Sequence, residues 1–176
     1  SDRILKAMRR GYTADKFRAL VAKLRAQCPG IAVTTDVIVG FPGEAADDYA
    51  ATRDLVDELA FDNAFVFRYS PRKDTPAAGM PEQVPEDVKE ERNQDLLSVV
   101  NAHAQEKLRA LVGSTVEVLC TGPSRHNDLR LTGRTRGNKI AVFEGDASLA
   151  GLLVEIRIAE TAGFTLYGEN PRPAAA

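Results

Sequence analysis

Apolar residues first recur at helical spacing. Ile4, Leu5 and Met8 share a face and predict a short helix over residues 2–9, stopped at Gly11. Thr13 is an N-cap for a second helix, in which Phe17, Leu20, Val21 and Leu24 recur to about Gln27 before Pro29 and Gly30 end it. Residues 31–40 (IAVTTDVIVG) are β-branched and nearly continuous in apolar character, the pattern of a parallel strand covered on both faces. A third helix over 46–59 turns Tyr49, Leu55, Val56 and Leu59 inward, and FDNAFVFRYS, 61–70, alternates as a strand.

Helix, strand, helix, strand is the rhythm of βα units, and two such units cannot close a sheet alone. The stretch 71–85 (PRKDTPAAGMPEQVP) is a loop, and Pro85 opens a long helix to about Leu111 carrying Val88, Leu96, Val99, Val100, Ala104 and Leu108. After Gly113 the texture changes to five short β-rich runs, STVEVLC, LRLTGRT, KIAVFEG, GLLVEIRIAE and FTLYGE, which predict a small barrel or sandwich. The fold class expected is thus α/β over residues 1–111 followed by an all-β domain over 112–173, with the boundary near 111–113. NPRPAAA at the end reads as a frayed tail.

Composition narrows the class. With 44% hydrophobic and 27% charged residues and no apolar run near 18, the 176-residue chain is expected to be soluble, without a membrane partner. Its net charge of −2 does not by itself suggest a nucleic-acid binder. Cys28 and Cys120 lie far apart with no C-x-x-C spacing, so two reduced thiols in a cytoplasmic protein are expected, without a disulfide framework or an all-protein metal site. SDRILKAMRRGYT has no apolar signal core and no starting Met, as if cut from something longer.

The junction TTDVIVGFPGE, 34–44, runs a strand into a Gly-Pro-Gly turn and ends on an acid at a helix mouth. Gly40 and Gly43 let backbone approach a ligand, and the C-terminal end of a parallel strand is where α/β sheets bind one. A structural turn in which Glu44 complements the helix dipole is the competing reading. His103 reads as a lone helical histidine, EDVKEER as a solvated, salt-bridged helix face, and no catalytic triad can be assembled.

SDRILKAMRRGYT, TTDVIVGFPGE, FRYSPRKDTPAA, QVPEDVKEER and LTGRTRGN, in this order and spacing, resemble the C-terminal portion of the radical-SAM methylthiotransferases, most closely those acting on tRNA. The resemblance implies the closing part of a partial β/α, TIM-like barrel followed by a five-stranded, OB-like TRAM β-barrel. It implies S-adenosylmethionine as cofactor, with Val37, Ile38, Val39, Gly40 and Phe41 beside its adenosyl part and Asp36 and Glu44 orienting strand and turn. Met8, Arg10, Tyr12 and Thr13 match a Met-x-Arg-x-Tyr-Thr pattern, which places Arg10 at the barrel mouth facing an anionic group. Tyr69, Ser70, Arg72 and Thr75 fall at the next strand end, with Tyr69 toward the cofactor and Arg72 toward RNA or a carboxylate. Asp74 stands where the family pattern has glycine.

In the β-region Arg125, Arg130, Arg134, Arg136 and Lys139 face one acid, Asp128, between residues 125 and 139, a local charge of +4. Such clustering is a footprint of phosphate contact, and His126 and Phe143 could add base stacking; a charged soluble rim is the plain alternative. The TRAM resemblance, carried by Leu131, Gly133, Arg134, Thr135 and Asn138, favours RNA, and tRNA is the expected partner.

Radical-SAM chemistry needs three closely spaced cysteines to hold a 4Fe-4S cluster with one open iron, and the family uses a second such cluster. This chain has no such trio. The expectation is therefore an enzyme in full-length form whose fragment, lacking both cluster ligand sets, is inactive alone. The resemblance implies transfer of a methylthio group to isopentenyl-adenosine next to the anticodon. The alternatives are a stand-alone RNA-binding module, or a sister activity on threonylcarbamoyl-adenosine tRNA or a ribosomal protein. Self-association through the open barrel edge is the further expectation.

Overall fold

The computed structural model describes residues 1–124 and 127–174, Asp128 by its backbone alone. The chain divides into two compact units, Ser1–His103 and Ala104–Ala176.

The first unit begins with α1 (Asp2–Ala7), which buries Ile4, and α2 (Ala14–Gln27), capped by Thr13 through the Lys16 N–H. Two parallel strands follow the helices in alternation: β1 (Thr34–Val39), α3 (Ala46–Leu59), β2 (Asn63–Arg68) and then α4 (Glu86–Arg109). Strand pairing runs from Thr34 opposite Asn63 to Val39 opposite Arg68, and the Tyr69 N–H extends it by donating to Val39 O at 2.8 Å. Val21, Val39, Val56, Leu59, Phe61, Ala64, Leu96 and Val100 form the core. At about 25 cal/mol per Å², burying each such side chain contributes on the order of 2 kcal/mol before chain entropy is set against it. Tyr49 ties α3 to α4 by donating to Asp95 at 2.6 Å, while Arg53 donates to the same carboxylate at 2.8 Å.

Three expectations for this unit are corrected. β1 is not covered on both faces: the positions Asp36 and Phe65, Ile38 and Phe67 share the face away from the core, and Phe65 and Phe67 stack there with ring centroids 6.4 Å apart, 58% and 51% exposed. The apolar stripe of α2 is only partly used, since Val21 is buried while Leu20 and Leu24 face solvent. Nor is EDVKEER a wholly solvated face. Lys89 is 2% exposed, and Arg92 donates to the buried Glu44 carboxylate at 2.7 Å.

The second unit is a closed barrel of β3 (Thr115–Ser124), β4 (Asn127–Thr135), β5 (Ile140–Glu144), β6 (Leu153–Ala162) and β7 (Thr165–Pro173), in the order β3-β4-β5-β7-β6. The barrel alternative is the one the chain takes. Alternation fills its interior with Val118, Cys120, Leu131, Ala141, Phe143, Val154, Ile156, Ile158 and Leu166. Gly133 is required there, because a Cβ would overlap Leu119 O and Val118 Cγ1 on the neighbouring strand.

NPRPAAA is not all tail. Residues 170–173 belong to β7, with Val154 opposite Pro173 and the Ala174 N–H donating to Leu153 O at 3.0 Å. The prolines are tolerated because pairing with β5 stops at Gly168, leaving that end of β7 one neighbour and no second ladder to break.

Candidate cofactor cleft and nucleic-acid interface

In the first unit the chain leaves β1 through a turn that closes on itself. Gly40 (φ 74°) and Gly43 (φ 79°) take left-handed conformations, and the Glu44 N–H donates to Phe41 O at 2.9 Å. The Glu44 side chain folds back so that Oε1 accepts the Gly40 N–H at 2.9 Å and Arg92 at 2.7 Å. Glu44 thus orients the turn, through the Gly40 backbone and not through the helix dipole alone. Behind the turn, the aliphatic stem of Lys89 fills the space a Gly40 Cβ would need.

A cleft of about 710 Å³ opens beside the strand ends. Met8, Arg10 and Tyr12 line it from the end of α1, Asp36, Val37 and Ile38 from β1, and Phe67, Tyr69 and Arg72 from β2 and beyond. That volume suits a ligand of cofactor size, and the wall combines apolar surface with a few polar groups. The structure thereby brings together Arg10, Val37, Ile38, Tyr69 and Arg72. It leaves Val39, Gly40 and Phe41 out: they are buried behind the wall, where Phe41 packs edge-on to Tyr69 at 5.2 Å between centroids.

The cleft has unspent polar capacity. Arg10 and Arg72 have no ion-pair partner among the described residues, so both guanidinium forks remain for an anion. Arg68 instead pairs with Glu90. The Tyr69 hydroxyl is buried without a hydrogen-bond partner among the described residues, a costly arrangement unless something completes it. Asp74, in the loop beyond, holds the left-handed φ of 65° that a glycine would take there, a conformation aspartate tolerates better than most residues.

Sequence reasoning missed Lys89, which reaches the wall from α4, and the exposed pair Phe65 and Phe67. The alternation of Ala64 and Val66 with those two rings was the available signal for the latter.

On the barrel, Arg130 and Arg134 point outward from β4 at alternate positions, flanking the buried Leu131 and Gly133. Arg130 lies over the Tyr167 ring at 5.9 Å, and the register sets it opposite Glu144. Arg134 donates to Asn138 O at 3.0 Å in the β4–β5 hairpin, whose Asn138 takes φ 59°. Arg136 pairs with Glu117 at 2.7 Å yet remains 82% exposed, and the Lys139 N–H donates to Thr135 Oγ1 at 3.1 Å. Arg125 and His126 lie outside the described residues. Phe143, expected to stack on a base, is 1% exposed in the barrel core, because the alternation that carries Ala141 inward carries Phe143 with it. Tyr167, which sequence reasoning did not single out, is an aromatic beside Arg130.

Residues 109–170 match the TRAM domain family. Over 96% of its length the chain is 54% identical to a protein of Akkermansia muciniphila named tRNA-2-methylthio-N(6)-dimethylallyladenosine synthase, and covers 37% of it. Proteins of the same name from Moorella thermoacetica (50% identical over 96% of the chain, 38% of the relative) and Acetivibrio thermocellus (51% over 98%, 36% of the relative) agree. The resemblance to the C-terminal portion of the tRNA methylthiotransferases is borne out. The chain spans little more than a third of these relatives, and its closed five-stranded barrel coincides with the residues that match the TRAM family. Among the described residues no helix is long and apolar enough to cross a membrane, and no group of His, Cys, Asp and Glu is arranged to hold a metal.

Proposed function

We propose that this chain is the cofactor-and-RNA end of a tRNA methylthiotransferase, which adds a methylthio group to isopentenyl-adenosine beside the anticodon. The observation that carries the reading is the cleft at the ends of β1 and β2, where guanidinium groups and a tyrosine hydroxyl without partners among the described residues meet apolar strand residues, in a chain that also bears a TRAM barrel. Residues 1–111 are read as the closing part of a partial β/α barrel and 112–173 as the RNA-binding domain. The open face bearing Phe65 and Phe67 supports that reading, since the inward face of a barrel stays exposed while the other strands are missing.

S-adenosylmethionine, when bound with a 4Fe-4S cluster, supplies the radical chemistry, and a second cluster supplies sulfur; the ligands of both lie outside this chain, which is inactive alone. The residues present fit the cofactor's adenosyl and carboxylate ends. Val37 and Ile38 offer apolar contact to adenine, Arg10 holds a carboxylate, and the Tyr69 hydroxyl completes its hydrogen bonding on the ligand. Arg72, Arg130, Arg134, Arg136, Lys139 and Arg125 hold phosphates of tRNA, and the whole protein works in the cytoplasm.

Two binding measurements on the chain test this reading. S-adenosylhomocysteine binds the first unit and loses affinity when Arg10 and Tyr69 are replaced, and tRNA binds the barrel with strong salt dependence. Absence of both would remove the reading.

A further inference from the structure

α4 does more than cover the sheet. Lys89 and Asn93, one turn apart on its buried face, both donate to backbone carbonyls of the second strand segment: Asn93 to Val66 O at 2.9 Å and Lys89 Nζ to Tyr69 O at 3.2 Å. Asn93 thus satisfies a β2 carbonyl that the pairing with β1 leaves open, and Lys89 satisfies that of Tyr69, just beyond the strand, whose own N–H bonds back to Val39 O. Lys89 reaches further. Its stem lies against Gly40, its ammonium donates to Glu86 at 2.7 Å, and the same ammonium sits 5.6 Å from the Tyr69 ring centroid. One buried lysine therefore touches the residue that follows each strand: Gly40 after β1, behind the cleft wall, and Tyr69 after β2, on it.

A buried ammonium is costly, and a methionine or leucine would fill the same space more cheaply. Lys89 does not line the cleft itself; Tyr69, whose ring it adjoins, does. Apart from the exposed Glu86 carboxylate, the contacts of Lys89 are with groups at or just behind the wall: the Gly40 backbone, the Tyr69 carbonyl and the Tyr69 ring. We propose that Lys89 is a positioning residue for the cleft, holding the Tyr69 ring and hydroxyl and the Gly40 turn in the geometry that receives the adenosyl end of the cofactor. The ligand named here rests on the reading given under Proposed function; the tie between the strand ends rests on the contacts alone.

The test compares the unaltered chain with Lys89→Met, which keeps the stem and loses the donor, and with Asn93→Leu, which removes the hydrogen bond to Val66 O and leaves those of Lys89 in place. Amide hydrogen exchange is followed in residues 66–75, with α3 as internal control, and S-adenosylhomocysteine binding is measured by equilibrium dialysis. Lys89→Met is expected to speed exchange in 66–75 and weaken binding by about tenfold each, the loss expected when a hydrogen bond from a charged donor goes, with α3 unchanged. Asn93→Leu is expected to speed exchange at Val66 while leaving the affinity within about twofold. Unchanged exchange in 66–75 of Lys89→Met overturns the proposal, and so does an unchanged affinity in the presence of faster exchange. If the unaltered chain does not bind S-adenosylhomocysteine, the cofactor reading fails, and the exchange comparison alone then decides whether Lys89 ties the strand ends.

Discussion

The Glu44 carboxylate accepts the Gly40 N–H at 2.9 Å across the turn that separates them. Both partners are buried, and the same oxygen receives Arg92 from α4, so one acid fixes the backbone at the end of β1 and neutralises a nearly buried cation. Glu44→Ala leaves the Gly40 N–H without its acceptor and the Arg92 guanidinium without its counter-charge, with only the residue-44 backbone carbonyl, at 3.1 Å, still accepting from it. The expected loss is about 3 kcal/mol of unfolding free energy, measured by urea denaturation, with Glu44→Gln intermediate because its carbonyl still accepts one of the two donors.

Gly40→Ala meets two separate obstacles. The left-handed φ strains any L side chain, and the new methyl overlaps Lys89 Cγ. A destabilisation of about 2 kcal/mol or more is expected. In a double-mutant cycle, Lys89→Ala should recover part of that loss but not the backbone strain, so the two substitutions are non-additive; strict additivity would show that the stem does not rest on the glycine.

Acid stability reports on Asp48. Burial pushes its carboxyl up, but the Arg3 guanidinium, the Ser1 hydroxyl and the Ala45 N–H together hold it down to about 2, against an ordinary 3.8. A group held low when folded stabilises the protein fully above its unfolded value and loses that contribution as pH falls toward the folded one. Stability should therefore decline between about pH 4 and pH 2 in part through this residue. Asp48→Asn should flatten that limb of a thermal-melt pH series and leave the neutral range with a constant deficit.

Much of this arrangement was legible beforehand because it follows from period and punctuation. The helical spacing of Phe17 with Val21, the apolar run ending at Val39 and the alternation through KIAVFEG placed their elements within a few residues. What could not be read was set by distant partners. Nothing local marks Lys89 as buried within an acidic helix; its place depends on the missing side chain of Gly40, 49 positions away. Pro171 and Pro173 read as a terminus because proline breaks ladders, yet an edge position spares them. The strand-turn-helix pattern indicated the end of the sheet at which the cleft opens, but which residues line it depends on a turn that hides Val39, Gly40 and Phe41 while Val37 and Ile38 stay on the wall.

The cations of the barrel act unequally. Arg136 is ion-paired with Glu117 and Arg130 is opposite Glu144, whereas among the described residues Arg134 is exposed with a neutral carbonyl as its partner. Arg134→Glu with Arg136→Glu should weaken tRNA binding by more than about tenfold at low salt and reduce the slope of log affinity against log salt by about one to two. Filter binding at two salt concentrations measures both. An unchanged slope would remove this side of the barrel from the RNA contact.

The activity proposed for the protein carrying this chain is methylthiolation of isopentenyl-adenosine in tRNA. Mass spectrometry of tRNA nucleosides from a strain lacking its gene tests that directly. The account predicts that 2-methylthio-isopentenyl-adenosine disappears, that isopentenyl-adenosine accumulates in its place, and that the threonylcarbamoyl nucleosides are untouched. Methylthiolated isopentenyl-adenosine at its ordinary level in that strain would contradict it.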